Sequence, residues 1–333
     1  MSQISFRAMV VEETDENRFT RQIKEKEISD LPKGDVLIKV HYSSLNYKDA
    51  LSAIGNKGIT RHYPHTPGID AAGIVQTSKS PDFKPGDSVI VTGYDLGMNT
   101  SGGFGQYIRV PADWVVPLPN ALSLKESMVY GTAGFTAGLS LHKLNQMGIK
   151  PEDGPILVTG ASGGVGSLAT ALLSHTGYRV VAASGKPEAV TRLKALGAET
   201  VIDRRNVIDT TGKALLHQTW AASVDTVGGE QLTYAIRTTY RNGIVTCCGN
   251  IASAELHVSI YPFILRGVSL MGINSADTEM TLRRTIWNNF AGPWKLSNLE
   301  TLSSTINLKE LSMHIDHMLD GQQIGRRVVD LNQ

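Results

Sequence analysis

A glycine-rich segment carries the strongest chemical signal in the chain. Residues 159–166 read Thr-Gly-Ala-Ser-Gly-Gly-Val-Gly; they follow the apolar triplet 156–158 and open a helical stretch that reaches His175. Glycine at 163 lets a ligand approach the backbone, and glycine at 166 lets the helix pack against the strand. The first N–H groups of such a helix present a partial positive charge to an anion. The sequence therefore predicts a dinucleotide diphosphate site at Ser162, Gly163, Gly164 and Val165.

The end of the next predicted strand indicates which dinucleotide would bind. NAD-specific folds carry an acidic residue there, which accepts hydrogen bonds from the ribose hydroxyls. This strand instead ends in Ser184, Gly185 and Lys186, and Arg204 follows the next strand. A hydroxyl and two cations suit a 2′-phosphate, so we expect a preference for NADP(H). The alternative is that both cations are solvated surface charges, as most lysines and arginines are.

The parts of the chain before and after residue 123 show two different patterns of predicted secondary structure. Short strand candidates such as 36–40, 69–75 (interrupted at Gly73) and 88–91 are separated by Gly and Pro in the first part of the chain. After residue 123, helical stretches alternate with continuous apolar strands, which is typical of a parallel sheet covered on both faces. We predict an α/β protein with a β-rich domain over 1–125, completed by 272–333, and a doubly wound nucleotide-binding domain over 126–271.

Composition limits the classes of partner. The 333 residues suit two domains, and a net charge of +1 provides no electrostatic footprint for nucleic acid. No apolar run is long enough to span a bilayer, and the first residues do not form a secretory signal. The two cysteines, Cys247 and Cys248, are neighbours and form no disulfide framework, which favours a reducing compartment. We expect a cytoplasmic protein with no nucleic-acid or membrane partner.

Four further segments carry a family resemblance. They are Ser-Ser-Leu-Asn-Tyr-Lys-Asp-Ala at 43–50, Pro-Gly-Ile-Asp at 67–70, Gly-Thr-Ala-Gly-Phe-Thr-Ala at 131–137 and Pro-Phe-Ile-Leu-Arg at 262–266. Together with the glycine-rich loop, they resemble the acrylyl-CoA reductase branch of the quinone oxidoreductases, within the medium-chain dehydrogenase/reductase superfamily. The resemblance implies a GroES-like β-rich catalytic domain and a Rossmann domain.

Zinc-dependent members of that superfamily bind a catalytic metal through a cysteine, a histidine–glutamate pair and a further cysteine or histidine. The first ligand position is matched here by Asn46, and the Gly-His-Glu segment is matched by Gly-Ile-Asp at 68–70. His62 and His65 lie on either side of Pro64, but no cysteine is near them in sequence. Zinc requires converging thiolate, imidazole or carboxylate ligands, so we predict no metal.

The chemistry that remains is reduction of an activated double bond. Hydride from NADPH would add to the β-carbon of an unsaturated carbonyl, and a proton would reach the α-carbon. By resemblance, Tyr47 contacts cofactor and substrate and is a candidate proton donor, and Asn46 orients the substrate carbonyl or the ribose. Asp70 is explained equally well by a catalytic role and by a structural role, as a carboxylate that caps a turn. Further cofactor contacts implied by the resemblance are Thr132, Thr136, Asn250, Phe263, Ile264, Ser275 and Arg326.

The sequence leaves the substrate open. The resemblance favours acrylyl-CoA reduced to propanoyl-CoA, and a CoA thioester would need a basic rim, for which the candidates are Lys48, Lys57, Arg61 and Arg266. The alternatives are a reductase of quinones or small enones and a non-catalytic NADPH-binding protein. The family also implies a homodimer, formed by edge strands near Val258 and Leu270.

Overall fold

The computed structural model describes residues 4–14 and 17–333. The chain divides into two compact units, a first unit of Met1–Thr132 and Ala276–Gln333 and a second unit of Ala133–Ser275. The predicted domain limits at 125/126 and 271/272 lie a few residues before these borders, and the functions assigned to the two segments stay predictions. None of the helices in the described ranges combines the length and apolarity needed to cross a membrane.

The strands are β1 (Ser5–Glu13), β2 (Phe19–Glu27), β3 (Val36–Ser44), β4 (Asp70–Ser78), β5 (Ser88–Thr92), β6 (Tyr107–Val110), β7 (Val115–Pro117), β8 (Ile156–Val158), β9 (Val180–Ser184), β10 (Thr200–Asp203), β11 (Trp220–Asp225), β12 (Thr239–Cys247), β13 (Ser269–Gly272), β14 (Ser303–Asn307) and β15 (Arg326–Asp330). The α-helices are α1 (Tyr47–Ala53), α2 (Leu124–Gln146), α3 (Gly164–His175), α4 (Val190–Ala195), α5 (Gly229–Thr238), α6 (Tyr261–Arg266), α7 (Met280–Ala291) and α8 (Leu311–Leu319).

The second unit contains a six-stranded parallel sheet in the order β10-β9-β8-β11-β12-β13. All residues of β8, β9 and β11 are buried, which is why these strands are almost uniformly apolar. The sheet confirms the predicted doubly wound α/β fold. Strand β11 ends at Asp225, whose side chain accepts the Gly228 N–H where the chain turns toward α5.

The first unit contains a seven-stranded sheet in the order β14-β15-β3-β4-β5-β7, with β6 paired to β3. Val36, Ile38 and Val40 of β3 are buried in the core of this unit. The predicted interruption of β4 at Gly73 is wrong, since the strand continues through this residue. A Cβ at Gly73 would collide with the backbone of Lys39 on β3, so glycine permits the close approach of the two strands. A separate hairpin, β1–β2, was not among the predicted strands.

Candidate functional site

The glycine-rich turn joins β8 to α3 and exposes a set of backbone donors. Gly163 is the N-cap of α3, and the first hydrogen bond of the helix runs from the Ser167 N–H to the Gly163 carbonyl (3.0 Å). Within the described residues, no backbone acceptor takes the N–H groups of Ser162, Gly164, Val165 and Gly166. Unsatisfied N–H groups at a helix N-terminus attract anions. The turn therefore has the local geometry for a diphosphate, at the predicted residues.

Two glycines of the turn are required by sterics. Gly160 has φ +58°, and a Cβ there would collide with the Thr226 hydroxyl. A Cβ at Gly166 would lie 2.7 Å from the Ala161 Cα. By contrast, a Cβ at Gly163 would meet a single atom, the Gly160 carbonyl oxygen at 3.3 Å. The missing side chain at 163 therefore leaves space on the outer face of the turn, where a ligand would lie.

The predicted phosphate-binding side chains converge at the end of β9. Ser184 is buried, and its Oγ accepts the Lys186 N–H (3.1 Å). The Arg204 guanidinium lies so close to the end of the strand that a Cβ on Gly185 would be 2.5 Å from its Nε. Burial lowers the pKa of Lys186, as does the Arg204 charge, whereas Glu188 raises it. The structure thus brings Ser184, Gly185, Lys186 and Arg204 together, and their binding of a 2′-phosphate stays a prediction.

The sequence argument missed one acidic neighbour of these cations. Asp203 on β10 is in register with Ser184, so a carboxylate does lie beside this strand end. Arg205 pairs with it through Nη2 (2.8 Å) and Nε (3.0 Å), and these hydrogen bonds lower the pKa of Asp203 to about 2. The ion pair offsets the negative charge near the predicted phosphate site. The order Asp-Arg-Arg was visible in the sequence, but the strand register was not.

The remaining predicted residues of the second unit occupy different settings. Asn250 follows β12 and is exposed, and Ser275 follows β13 and is half-buried, so both come after strand ends on the edge of the sheet that carries the turn. Phe263 packs against the core of this unit, whereas Ile264 is 64% exposed. Thr136 is buried within α2. A cofactor role for these residues stays a prediction.

In the first unit, the Asn-Tyr-Lys-Asp segment begins α1. Asn46 is the N-cap, and its backbone N–H donates to Asp49 Oδ2 (2.8 Å). Tyr47 is the first residue of the helix and is half-buried, and within the described part of the chain its hydroxyl has no hydrogen-bond partner. The capped helix thus presents the Tyr47 phenol with an available hydroxyl.

The carboxyl that caps this helix is itself perturbed. Burial and the Asp70 charge raise the pKa of Asp49 to about 7, although hydrogen bonds from Asn46 and Ile69 oppose this shift.

Asn46 also belongs to a buried network centred on Asp70. Asp70 Oδ2 accepts hydrogen bonds from Ser44 Oγ (2.5 Å) and from Asn46 Nδ2 (2.8 Å). Thr132 donates to the same carboxylate through its backbone N–H (3.0 and 2.9 Å) and its hydroxyl (2.6 Å). Arg326, which is 2% exposed, lies 3.7 Å from Asp70 Oδ2 and donates to Asn46 Oδ1 (3.0 Å). The network brings together three predicted site residues, Asn46, Thr132 and Arg326.

In this network, the side chains of Asn46, Thr132 and Arg326 are engaged by other groups of the first unit. The Arg326 donors reach the carbonyls of Val129 and Leu45 as well as Asn46 and Ser44. Burial lowers the pKa of Arg326, and the Asp70 charge raises it. Of the two roles considered for Asp70, the contacts favour the structural one, because its carboxylate accepts the N–H at the start of the helical segment after Gly131. Ser44 and Asp49 lie in the segment 43–50 that carries the resemblance, but the sequence analysis assigned them no role. The capping-box spacing of Asn46 and Asp49 was a signal for Asp49.

Two of the four candidates for a CoA-binding rim are engaged in contacts within the protein. Lys57 pairs with Glu13 (2.5 Å) and lies 4.9 Å from the centre of the Tyr63 ring. Arg266 donates to the carbonyls of Arg237 (2.8 Å) and Leu216 (2.6 Å). Lys48 is half-buried and Arg61 is exposed. Lys57 and Arg266 are thus each engaged by groups of their own unit.

Comparisons with known proteins identify the family. The family described as alcohol dehydrogenase GroES-like domain matches residues 32–120, and the one described as zinc-binding dehydrogenase matches residues 164–289. Acrylyl-CoA reductase AcuI of Ruegeria pomeroyi is 41% identical over 328 residues, which cover 98% of this chain and 99% of AcuI. The chain is a medium-chain dehydrogenase/reductase. Within this superfamily it belongs to the zinc-free branch of quinone oxidoreductases and acrylyl-CoA reductases, as predicted.

Two other relatives of this dehydrogenase/reductase have solved structures. YhfP of Bacillus subtilis, provisionally named a quinone oxidoreductase, is 47% identical over 93% of this chain and 94% of its own. Its structure with NAD bound superposes with a TM-score of 0.95 over 98% of this chain and all of the other. The yhdH oxidoreductase of Salmonella enterica, solved with NADP, is 39% identical, with the same TM-score over 98% of this chain and 100% of that one. The GroES-like and Rossmann folds are thereby confirmed.

Although the matched family is described as a zinc-binding dehydrogenase, this chain has other residues at the zinc-ligand positions. The positions that hold the first cysteine and the His-Glu pair in zinc-dependent members hold Asn46, Ile69 and Asp70 here. Asn46 and Asp70 are already bonded to each other and flank the Arg326 guanidinium. Within the described residues, no cluster of three or more His, Cys, Asp or Glu side chains could hold a metal.

Proposed function

We propose that this medium-chain dehydrogenase/reductase uses NADPH to reduce the activated double bond of acrylyl-CoA, giving propanoyl-CoA. The observation that carries the cofactor assignment is the convergence of Lys186 and Arg204 at the end of β9, beside Ser184. Two neighbouring cations next to a hydroxyl suit a dianionic phosphate. The substrate assignment is supported by AcuI, which is 41% identical over 98% of the chain.

The residues of the chain divide the work of binding and chemistry. The N–H groups of the turn at 162–166 would bind the diphosphate, and Lys186 with Arg204 would bind the 2′-phosphate. Bound NADPH supplies the hydride. The Tyr47 hydroxyl would donate a hydrogen bond to the thioester oxygen, where negative charge develops. It would also be a source of the proton that the α-carbon receives. Asn46 would hold the start of α1, and with it Tyr47, in place through the Asp70 network.

A reductase of quinones or small enones is the second candidate, and a specific observation favours it. YhfP, which is 47% identical, bears a quinone oxidoreductase name. In addition, two candidates for binding the phosphates of CoA are engaged within their own units, Lys57 by Glu13 and Arg266 by the carbonyls of Arg237 and Leu216. A third candidate, a non-catalytic NADPH-binding protein, would keep the same phosphate turn.

One experiment separates the three candidates. NADPH oxidation is measured side by side with acrylyl-CoA, free acrylate and a quinone, and NADH replaces NADPH in a parallel series. We expect the highest kcat/KM with acrylyl-CoA and NADPH. Equal kcat/KM for the thioester and a simple enone or quinone would transfer the assignment to the second candidate. NADPH binding without turnover of any acceptor would transfer it to the third.

We also propose a homodimer formed through the edge of the second unit's sheet. β13, which contains Leu270, is the last strand of that sheet, and among the described residues it pairs with β12 alone. Large apolar side chains are exposed on nearby sequence, among them Ile260 (65%) and Ile264 (64%). An unpaired edge beside exposed apolar residues is a site for pairing with a second chain. Val258, the other predicted edge position, lies outside any strand. Light scattering of the purified protein tests the proposal, which a monomeric mass would contradict.

A further inference from the structure

A buried carboxylate, Asp225, lies where three loops of the second unit meet. Asp225 is the last residue of β11, and Thr159 is the first residue after β8, the parallel neighbour of β11. Both residues are fully buried, at 0% exposed. In a doubly wound sheet, ligands bind at the carboxyl ends of the strands, where these two residues lie. Thr159 is the first residue of the glycine-rich segment 159–166 and Asp225 lies outside it, and the proposed chemistry does not use either of them directly.

Hydrogen bonds join Asp225 to the turn that begins at Thr159. The Thr159 hydroxyl donates to Asp225 Oδ1 (2.7 Å) and accepts the Thr226 N–H (3.0 Å). The Thr226 hydroxyl in turn donates to the Thr159 carbonyl (2.9 Å). Gly160, the next residue, has φ +58° and packs directly against the Thr226 hydroxyl. The backbone that leads into the diphosphate turn is therefore held by β11 and not by the turn's own residues alone.

The same carboxylate and its backbone hold the two other loops. Asp225 Oδ2 accepts the Gly228 N–H (2.8 Å), which fixes the start of α5. The Asp225 carbonyl accepts the Cys248 N–H (3.1 Å), and the Val227 carbonyl accepts the Ala252 N–H (2.9 Å). The segment between Cys248 and Ala252 contains Asn250, one of the predicted cofactor contacts. Asp225 thus connects the diphosphate turn to the loops that follow β11 and β12.

We propose that Asp225, acting through Thr159, is a positioning residue for the dinucleotide: it holds the diphosphate turn in its binding geometry without touching the cofactor. The inference rests on the proposed use of NADPH. A carboxylate suits this role because it offers two acceptor oxygens, one for a hydroxyl and one for a backbone N–H, and no donor. Burial raises the pKa of Asp225, and hydrogen bonds from Thr159, Gly228 and Val227 lower it.

The test replaces Thr159 by Val, which keeps the β-branched shape and removes the hydroxyl that joins the turn to Asp225. T159S restores the hydroxyl. T239V is the matched control, because Thr239 is a buried threonine whose hydroxyl donates to Ala235 O (2.7 Å), at the amino end of β12. The dissociation constants of NADPH and of adenosine 2′-monophosphate are measured by titration. The second probe carries the 2′-phosphate but no diphosphate. Thermal unfolding of each variant is recorded in parallel.

We expect T159V to bind NADPH about tenfold more weakly, with unchanged affinity for adenosine 2′-monophosphate, and T159S to resemble the unmodified protein. T239V should lower the melting temperature without changing NADPH affinity. Unchanged NADPH binding by T159V, or an equal loss in T239V or for the smaller probe, would overturn the inference. If T159V does not fold, D225N must show the same selective loss. Failure of the unmodified protein to bind NADPH would instead refute the proposed function.

Discussion

Replacing Gly131 by Ala should cost far more stability than an alanine substitution at another left-handed glycine. Gly131 has φ +49° and ψ −156° and interrupts α2. A Cβ there would lie 2.5 Å from Asp70 Oδ2, 2.5 Å from Ser44 Oγ and 2.8 Å from Arg326 Nη2. The backbone conformation alone costs an L-residue about 1–3 kcal/mol. The new methyl group must also displace members of a buried charged network, and disrupting a buried ion pair costs about 3–5 kcal/mol.

The two costs overlap, so we expect G131A to lose about 3–6 kcal/mol in free energy of unfolding. Gly321 is the matched control in the same unit, because it has φ +69° and a Cβ there would meet nothing within 4 Å. G321A should lose about 1 kcal/mol.

The assay is urea unfolding, followed by circular dichroism and tryptophan fluorescence, on both variants and on the unmodified protein. Coincidence of the two signals tests whether a single transition describes the data. If G131A and G321A lose the same stability within about 0.5 kcal/mol, the network does not constrain residue 131 and the reasoning is wrong.

Three further predictions concern the site and the cysteines. K186A should raise the KM for NADPH about tenfold and leave the KM for NADH unchanged, since it removes one charge from the proposed phosphate site. Exposed Lys213 is the control position. An unchanged ratio of the KM for NADPH to the KM for NADH would refute the site. Y47F should lower kcat at least about tenfold with an unchanged melting temperature, whereas Y42F, the control on β3, should not; full activity of Y47F would remove Tyr47 from the mechanism. Burial raises the pKa of the Cys248 thiol from 9.0 to about 12. Its alkylation by iodoacetamide at pH 8 should therefore be about 10³-fold slower in the folded than in the unfolded protein, and the rate in the folded protein should still increase above pH 9. Equal alkylation rates in both states would contradict this prediction.

Features defined by neighbouring residues were predictable from the sequence. The glycine-rich turn lies within eight consecutive residues, with the strand directly before it and the helix directly after it. The loss of the zinc-ligand pattern was likewise readable at Asn46 and at 68–70, because a substituted ligand is a change of residue type. The hairpin strand β2 was not predictable in this way. Its sequence Phe-Thr-Arg-Gln-Ile-Lys-Glu-Lys-Glu is largely charged and none of its residues is fully buried, so it lacks the apolar alternation that marks a strand.

Contacts between distant segments could not be read from spacing. The position of Asp203 beside Ser184 follows only from strand pairing, because register is a property of two strands together. The Asp70 network draws Ser44, Asn46, Thr132 and Arg326 from three other segments of the chain, and the pair Arg326–Asn46 is separated by 280 residues. No local pattern encodes such a set, since each side chain is satisfied only after the strands and helices have packed.

The sequence by itself therefore determined the parallel sheet and the position of the glycine-rich turn, because both depend on short-range periodicity and on glycines at fixed intervals. The family was indicated by the resemblance of the segments 43–50, 67–70, 131–137 and 262–266. The tertiary structure alone decided that Arg326 and Asp70 form a buried pair and that Asp225 supports the turn from the neighbouring strand. The physical reason is burial. A charged or polar side chain removed from water must find its partners wherever the fold places them, and those partners come from any part of the chain.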